Sequence, residues 1–545
     1  YIKLMKYNLI NSKLYYSKNL DLTNSFQRIS GLYFNNEKIE LNSEKELFSI
    51  ELLDKRFFWN EFLLKDFLNL KQHDKIQEFI LPAISGYCEF IDLIINKIKF
   101  SIGLITRRSK FRAGTRYFTR GIDINGNVGN FNETEQVLII HNESDSYNIM
   151  SYLQTRGSIP AYWAEINNLK YAPSLVISER DSIEPSFKHF DEQISKYGKN
   201  YLINLINSGG REKKIKDCYE KIIIDLKAKH PSKINDNTLE YIYFDFHHEC
   251  RKMQWYNVDK LIAKLTGFGV TSEDYFDCKY YVNQLKSEGS SSDRKIEVNN
   301  LQKNNIRTNC MDCLDRTNVV QSTFGKWILH EQLIKNKIMG ESERLNDYPE
   351  LILFFQKIWA DNADAISFGY SGTGALKTDF TRTGERTKRG VLNDGLNSVT
   401  RYILNNYFDG YRQDGYDLIL GNFGDNLKAV KNLKFNKELR PLAIQYIPYV
   451  ISNELASKAA TTSSGHHIIE TIKVLVVYAV SIGVVGKILL FLLGERNRLQ
   501  FVSWPSIKPV EFLDTEYVVE EGERGAKGIR YVLSSEFSVE EDKKR

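Results

Sequence analysis

Cys310 and Arg316 stand six positions apart in Arg307-Thr308-Asn309-Cys310-Met311-Asp312-Cys313-Leu314-Asp315-Arg316-Thr317-Asn318. A cysteine is nucleophilic as its thiolate, and N–H donors and a nearby guanidinium favour that form. Arg316 would grip two phosphate oxygens at once, which a lysine does not do. Thr317 would offer a hydroxyl to the sulfur when it leaves. Met311, Cys313 and Leu314 complete the curl and are read as substrate-binding. The chemistry that fits is phosphoryl transfer to sulfur followed by hydrolysis, with no metal or other cofactor. Asp312 and Asp315 are unexpected in a phosphate cup, because a carboxylate repels the substrate. Either they point away, or one carries the proton for the leaving alcohol; Asp312 is the first choice and Asp315 the second. The spacing Cys310-x-x-Cys313 allows a rival reading, a zinc half-site or a dithiol redox pair. No second C-x-x-C accompanies it.

A helix must follow this loop. Val320, Phe324, Trp327 and Ile328 recur at i, i+4, i+7 and i+8, so a helix N-terminus with its partial positive charge faces the cup. The strand leading into the cup is expected to be short. Ile306 is the only apolar residue just before it, and residues 286–305 read as a flexible Ser/Asn/Lys-rich loop. Asn204-Leu205-Ile206-Asn207 before Gly209-Gly210-Arg211-Glu212 reads as a strand end in an α/β sheet. Tyr241-Ile242-Tyr243-Phe244-Asp245-Phe246-His247-His248-Glu249-Cys250-Arg251 reads as a strand running into polar residues. Adjacent His247 and His248 would face opposite ways on a strand, which argues against a metal site. Phe57, Phe58, Phe62, Leu63, Phe67 and Leu68 form the face of an expected amphipathic helix.

The chain has 545 residues, 42% hydrophobic and 26% charged, with a formal net charge of +5. This composition is ordinary for a globular protein of several domain-sized units. Six cysteines without scaffold spacing, and no signal-peptide pattern at the start, suggest reduced thiols and a cytosolic catalytic part. The first residue is Tyr1 rather than Met, so the natural start is expected to be missing. Arg107, Arg108, Lys110, Arg112, Arg116 and Arg120 crowd one segment with no acid among them. That segment is read either as a solvated strand face or as a surface for anionic lipid or nucleic acid. Lys377 and Arg382 follow the Gly-rich turn Gly369-Tyr370-Ser371-Gly372-Thr373-Gly374 and are candidates for holding an anionic headgroup.

Residues 474–493 carry fourteen Val, Leu, Ile or Phe and one charge, Lys487. Twenty helical residues span about 30 Å, the hydrocarbon thickness. Insertion gains about 4–8 kcal/mol against about 2.5–3.5 for the lysine, so a transmembrane helix is expected.

The loop around Cys310 resembles the signature of the Sac-domain phosphoinositide phosphatases. Other blocks are similar to the same family: the basic segment at 106–121, Asn130-Phe131-Asn132-Glu133-Thr134-Glu135-Gln136, Gln154-Thr155-Arg156-Gly157-Ser158-Ile159-Pro160-Ala161-Tyr162-Trp163, and the stretches at 241–251, 359–389 and 393–414. The resemblance implies an α/β catalytic domain whose Cys-x5-Arg phosphate-binding loop leads into a helix, preceded by a partial N-terminal Sac-type domain and followed by the C-terminal transmembrane helix. It divides the chain into 1–75 (partial N-terminal domain), 76–450 (catalytic domain), 451–473 (linker), 474–493 (membrane span) and 494–545 (charged tail). It implies a phosphatase acting on phosphatidylinositol 4-phosphate, with the 3-phosphate as a second substrate, through a cysteinyl-phosphate. Its partner would be a phosphoinositide lipid in a membrane rather than nucleic acid; protein partners are not indicated. The family's anchored members place such an enzyme in endoplasmic reticulum and Golgi membranes, facing the cytosol. Two alternatives stand beside this reading: a protein-tyrosine-type cysteine phosphatase and an inactive lipid-binding adaptor.

Overall fold

The computed structural model describes residues 2–34, 50–70, 76, 79–142, 146–166, 173–178, 180–251, 254–281, 295–383 and 387–422, together with strands at 516–521 and 527–532. The expected linker and membrane span lie outside the described residues. Among those described, no helix is long and apolar enough to cross a membrane.

A ten-stranded mixed sheet organises residues 2–422. Its antiparallel half runs β1 (Leu14–Tyr16), β2 (Ala83–Ile95), β3 (Ile98–Arg108), β4 (Asn132–His141) and β5 (Ser146–Arg156). Strands β6 (Trp163–Ile166) and β7 (Ser174–Ile177) form a separate antiparallel pair. The parallel half comprises β8 (Lys199–Asn204), β9 (Leu239–Tyr243) and β12 (Asn304–Asn309), in the order β5-β12-β8-β9. Between β9 and β12 in sequence, β10 (Phe276–Tyr281) pairs with β5 and with β11 (Lys295–Asn300). Near the C-terminus β13 (Glu516–Glu521) pairs with β14 (Lys527–Val532). The boundary expected at residue 75 falls within the large sheet, because β1 pairs with β2 across it.

The first three helices are α1 (Ile2–Asn11), α2 (Phe26–Ile29) and α3 (Lys65–Asn69). Then come α4 (Ile183–Tyr197), α5 (Lys213–Lys229), α6 (Phe246–Glu249) and α7 (Asp259–Gly267). Helix α8 (Asp315–Lys335) follows the cysteine loop. Helices α9 (Pro349–Ser371), α10 (Thr378–Thr383), α11 (Lys388–Tyr407) and α12 (Asp409–Leu420) close the unit. The apolar spacing along α8 is realised as burial: Val320, Phe324 and Ile328 lie in the main core, each removal from water worth about 1.5–3 kcal/mol. Proline at the start of α9 and left-handed Gly372 after its end delimit that helix.

Three local expectations need correction. Residues 295–300 form a strand rather than a loop, and β12, which leads into the cup, has six residues. Its polar side chains are tolerated inside the sheet because they pair: Asn305 donates to Thr155 and Asn200, and Asn309 to Asn204. The amphipathic helix expected from Phe57 is confined to α3; Phe57 and Phe58 are buried in a turn, while Phe62, Leu63 and Phe67 are exposed. The polar residues after β9 form a short helix, α6, whose N-cap Asp245 accepts from the His248 amide.

Candidate active site

The carboxyl ends of β5, β12 and β8 converge, which is where open α/β sheets place their ligands. Each contributes to one site. Strand β12 leads into Cys310, the end of β5 supplies Arg156 and Gly157, and the turn after β8 supplies Asn207 and Glu212. The loop turns at Cys313, whose φ of 52° lies in the left-handed region. The first turn of α8 carries no side-chain cap, so its amide charge faces the loop.

Cys310 is buried. The Thr317 hydroxyl lies 3.5 Å from its sulfur. A hydrogen bond from the Cys313 thiol lowers the Cys310 pKa to about 6; burial opposes this, and Arg316 and Thr317 add to it. Cys313 itself is pushed up by burial and by its bond with Cys310, so it stays a thiol and a donor. Its sulfur lies 3.0 Å from the Gly157 carbonyl oxygen. A Cβ on Gly157 would come within 2.9 Å of Val128, so glycine lets that backbone sit close behind the loop. Behind it too lies Arg156, fully buried, with no hydrogen-bond partner for any guanidinium nitrogen among the described residues. Burial lowers its pKa to about 10, against the attraction of Cys313 and Cys310.

Arg316 is held differently from the expectation drawn from sequence. Its guanidinium forks onto Glu212 at 2.8 and 3.0 Å, and also donates to the Leu205 carbonyl and Asn207 side chain. Its charge still acts on Cys310, but Glu212 sets its direction. Its bonds run through the two terminal nitrogens, and among the described residues Nε makes none.

The two loop carboxylates separate sharply. Burial would raise Asp312, yet Arg116 and Arg120 outweigh it and hold the acid below the usual carboxylate range. Arg116 lies 3.1 Å from Asp312, and Arg120 2.5 Å. Arg120 also donates to the Met311 carbonyl and pairs with Glu165. An acid so paired is ionised and shapes the loop; this runs against Asp312 as the first choice of proton donor. Asp315 has the opposite bias: burial raises its pKa, with Arg401 at 3.9 Å only partly opposing. One Asp315 oxygen accepts the Leu376 amide at 2.8 Å.

Of the other expected residues, Leu314 packs with Ile366 and Tyr370. Arg382 pairs with Asp361 and Asp364, at 2.7 and 2.9 Å. Lys377 is exposed, and its amide donates to Asp394. Among the described residues no group of three or more His, Cys, Asp or Glu could hold a metal ion.

A profile for the SacI homology domain matches residues 1–251. The phosphatidylinositol-3-phosphatase SAC1 of Saccharomyces cerevisiae is 45% identical over 547 aligned positions, covering all of this chain and 82% of that protein. The chain belongs to the Sac family of phosphoinositide phosphatases. The Danio rerio phosphatidylinositol-3-phosphatase SAC1-B is 39% identical over 76% of the chain and 65% of that protein. The phosphatidylinositol-3-phosphatase SAC1 of Drosophila melanogaster is 37% identical over 78% of the chain and 65% of that protein. Within this Sac domain Glu212, Glu165, Asp364 and Arg401 escape a reading of the sequence. None is paired through a local spacing that would signal its role.

The basic segment is the clearest correction. Arg107, Arg108 and Arg120 are buried, and Arg116 is mostly so. Its missing acids come from elsewhere in the Sac fold: Glu133 and Glu135 for Arg107, Glu165 and Asp312 for Arg120.

Proposed function

We propose that this chain removes the ring phosphate of phosphatidylinositol 4-phosphate, and of the 3-phosphate, through a cysteinyl-phosphate on Cys310. The observation that carries this reading is the buried Cys310 at the carboxyl ends of the parallel strands, with the Thr317 hydroxyl 3.5 Å from its sulfur; the lowering of its thiol by Cys313, Arg316 and Thr317 agrees with it. The 3-phosphate is supported by the names of the relatives; the 4-phosphate rests on the resemblance to anchored family members.

In the first step the Cys310 thiolate attacks phosphorus. The S–P bond forms, the P–O bond to inositol breaks, and a proton passes to the departing oxygen. We assign that proton to Asp315, because burial raises its pKa whereas Asp312 is paired with two arginines. Arg316 offers its Nε to the phosphate while Glu212 keeps the group from turning away. Water then attacks phosphorus and gives its proton to Asp315, and Thr317 donates to the departing sulfur. Met311, Cys313 and Leu314 contribute the loop backbone that surrounds the phosphate, and Lys377 the charge at its mouth.

On the family resemblance we assign the activity to the cytosolic face of endoplasmic reticulum and Golgi membranes, with residues 474–493 as the anchor. Phosphate release from phosphoinositides and from a phosphotyrosine peptide, with wild type and Cys310→Ser, tests the function. Release from the lipid alone, abolished by the substitution, is expected. Turnover by Cys310→Ser would exclude the cysteine mechanism, and preference for the peptide would favour the tyrosine-type alternative. Cell fractionation tests the location.

A further inference from the structure

Helix α11 is built inside out. Gly390, Asp394, Asn397 and Arg401 recur at i, i+4, i+7 and i+11 on its inner face. A Cβ on Gly390 would collide with the Asp379 carboxylate, so that face sits directly on its neighbour. Asp394 accepts from the Lys377 amide at 2.9 Å. Arg401 donates to the Thr373 hydroxyl at 3.1 Å and the Gly374 carbonyl at 2.9 Å. It also lies 3.9 Å from Asp315. The inner face is polar and grips the 373–377 turn, whose Leu376 amide binds Asp315.

About half a turn away around the helix, at roughly 100° per residue, Leu392, Leu396 and Val399 recur at i, i+4 and i+7 and point outward. They are 65%, 45% and 44% exposed. Lys388 and Arg389 flank this stripe in the first turn and are exposed. An apolar stripe facing water on a helix whose polar side is turned to a neighbouring turn marks a surface with a partner, and flanking cations favour an anionic one.

We infer that the outer face of α11 seats on an anionic lipid bilayer, with Leu392, Leu396 and Val399 entering the interface and Lys388 and Arg389 meeting headgroups. This rests on and deepens the proposed function, since a lipid substrate lies in the surface that α11 would touch. The same helix holds the turn beside Asp315, so docking and the site share one rigid element.

The test uses the full chain and phosphatidylcholine vesicles with about one fifth phosphatidylserine. Hydrogen–deuterium exchange is followed in peptides covering residues 388–402. Several-fold slower exchange on adding vesicles is expected in wild type and not in Leu392→Gln/Leu396→Gln. The double variant is then given a long-chain phosphoinositide in vesicles and a water-soluble short-chain one. A loss of about tenfold on vesicles with the soluble rate unchanged is expected. Exchange in wild type indifferent to vesicles would overturn the inference, as would equal losses on both substrates. If wild type turned over neither substrate, the function would fail while the exchange measurement still decided the docking face.

Discussion

Three arginines of β3 and of the loop after it, Arg107, Arg116 and Arg120, divide between two buried carboxylate clusters. Arg107 joins Arg28 and Arg56 around Glu133 and Glu135; Arg116 and Arg120 join Arg211 around Glu165 and Asp312. The first cluster buries its carboxylates completely. Both glutamates have no exposed surface, and the Tyr197 hydroxyl donates to Glu133 at 2.6 Å. It ties the N-terminal residues to β3 and β4. The second cluster opens on one side, with Asp312 22% and Arg116 17% exposed, and its acid belongs to the cysteine loop. Equal chemistry serves cohesion in one place and loop geometry in the other; what differs is whether the carboxylate has room to shift.

Substitutions in each cluster put this contrast to the test. The largest effect is expected for Glu133→Gln, which takes from Arg28 its carboxylate and leaves Arg107 to Glu135 and Arg56 to Asp54. A loss of about 3–5 kcal/mol in urea unfolding is expected, with ordinary activity in the molecules that remain folded. Asp312→Asn should lose far less stability and more activity; equal stability losses would dissolve the distinction between the clusters. The first cluster also sets an acid limit. Burial would raise Glu133, but its arginines hold the group lowered. Its stabilisation is therefore complete above the ordinary carboxylate range and disappears as pH falls below it.

Next in size, Asp315→Asn should slow lipid hydrolysis by about 10²–10³-fold, the usual reach of a proton donor. It should slow an aryl phosphate with a good leaving group much less. Uniform losses on both would return the proton to another group. Glu212→Gln leaves Arg316 less firmly directed and should cost about 10²-fold in kcat/KM with little change in melting temperature.

The smallest effect concerns pH. Thiolate forms as pH rises through about 6, so alkylation of Cys310 by iodoacetamide should rise over that range. Cys313→Ala removes the bond that contributes most to the lowering and therefore raises the Cys310 pKa. Alkylation near pH 6 should then fall by about three- to tenfold. An unchanged profile would mean that the Cys313 thiol does not set the acidity.

The cysteine loop is legible because its neighbours in sequence are its neighbours in space. Cys310, Cys313 and Thr317 occupy one turn and the start of one helix, and the pattern of Val320, Phe324 and Ile328 announces that helix. The basic segment misleads because charge in a linear string does not reveal where counter-charges will arrive. Asn305 and Asn309 hide a central strand because polar side chains suggest a loop until partners on adjacent strands are known.

Residue order alone suffices for the candidate nucleophile, the arginine that follows it, the helix behind them and membership of the family, since all are local patterns or long stretches of matching residues. It does not suffice for the ionised state of Asp312, the bias of Asp315 towards its proton, the direction that Glu212 gives Arg316, or the outward apolar side of α11. Those outcomes depend on burial and on charges brought together from segments up to about two hundred residues apart, such as Arg116 and Asp312. Their interaction falls with distance in space and takes no account of separation along the chain.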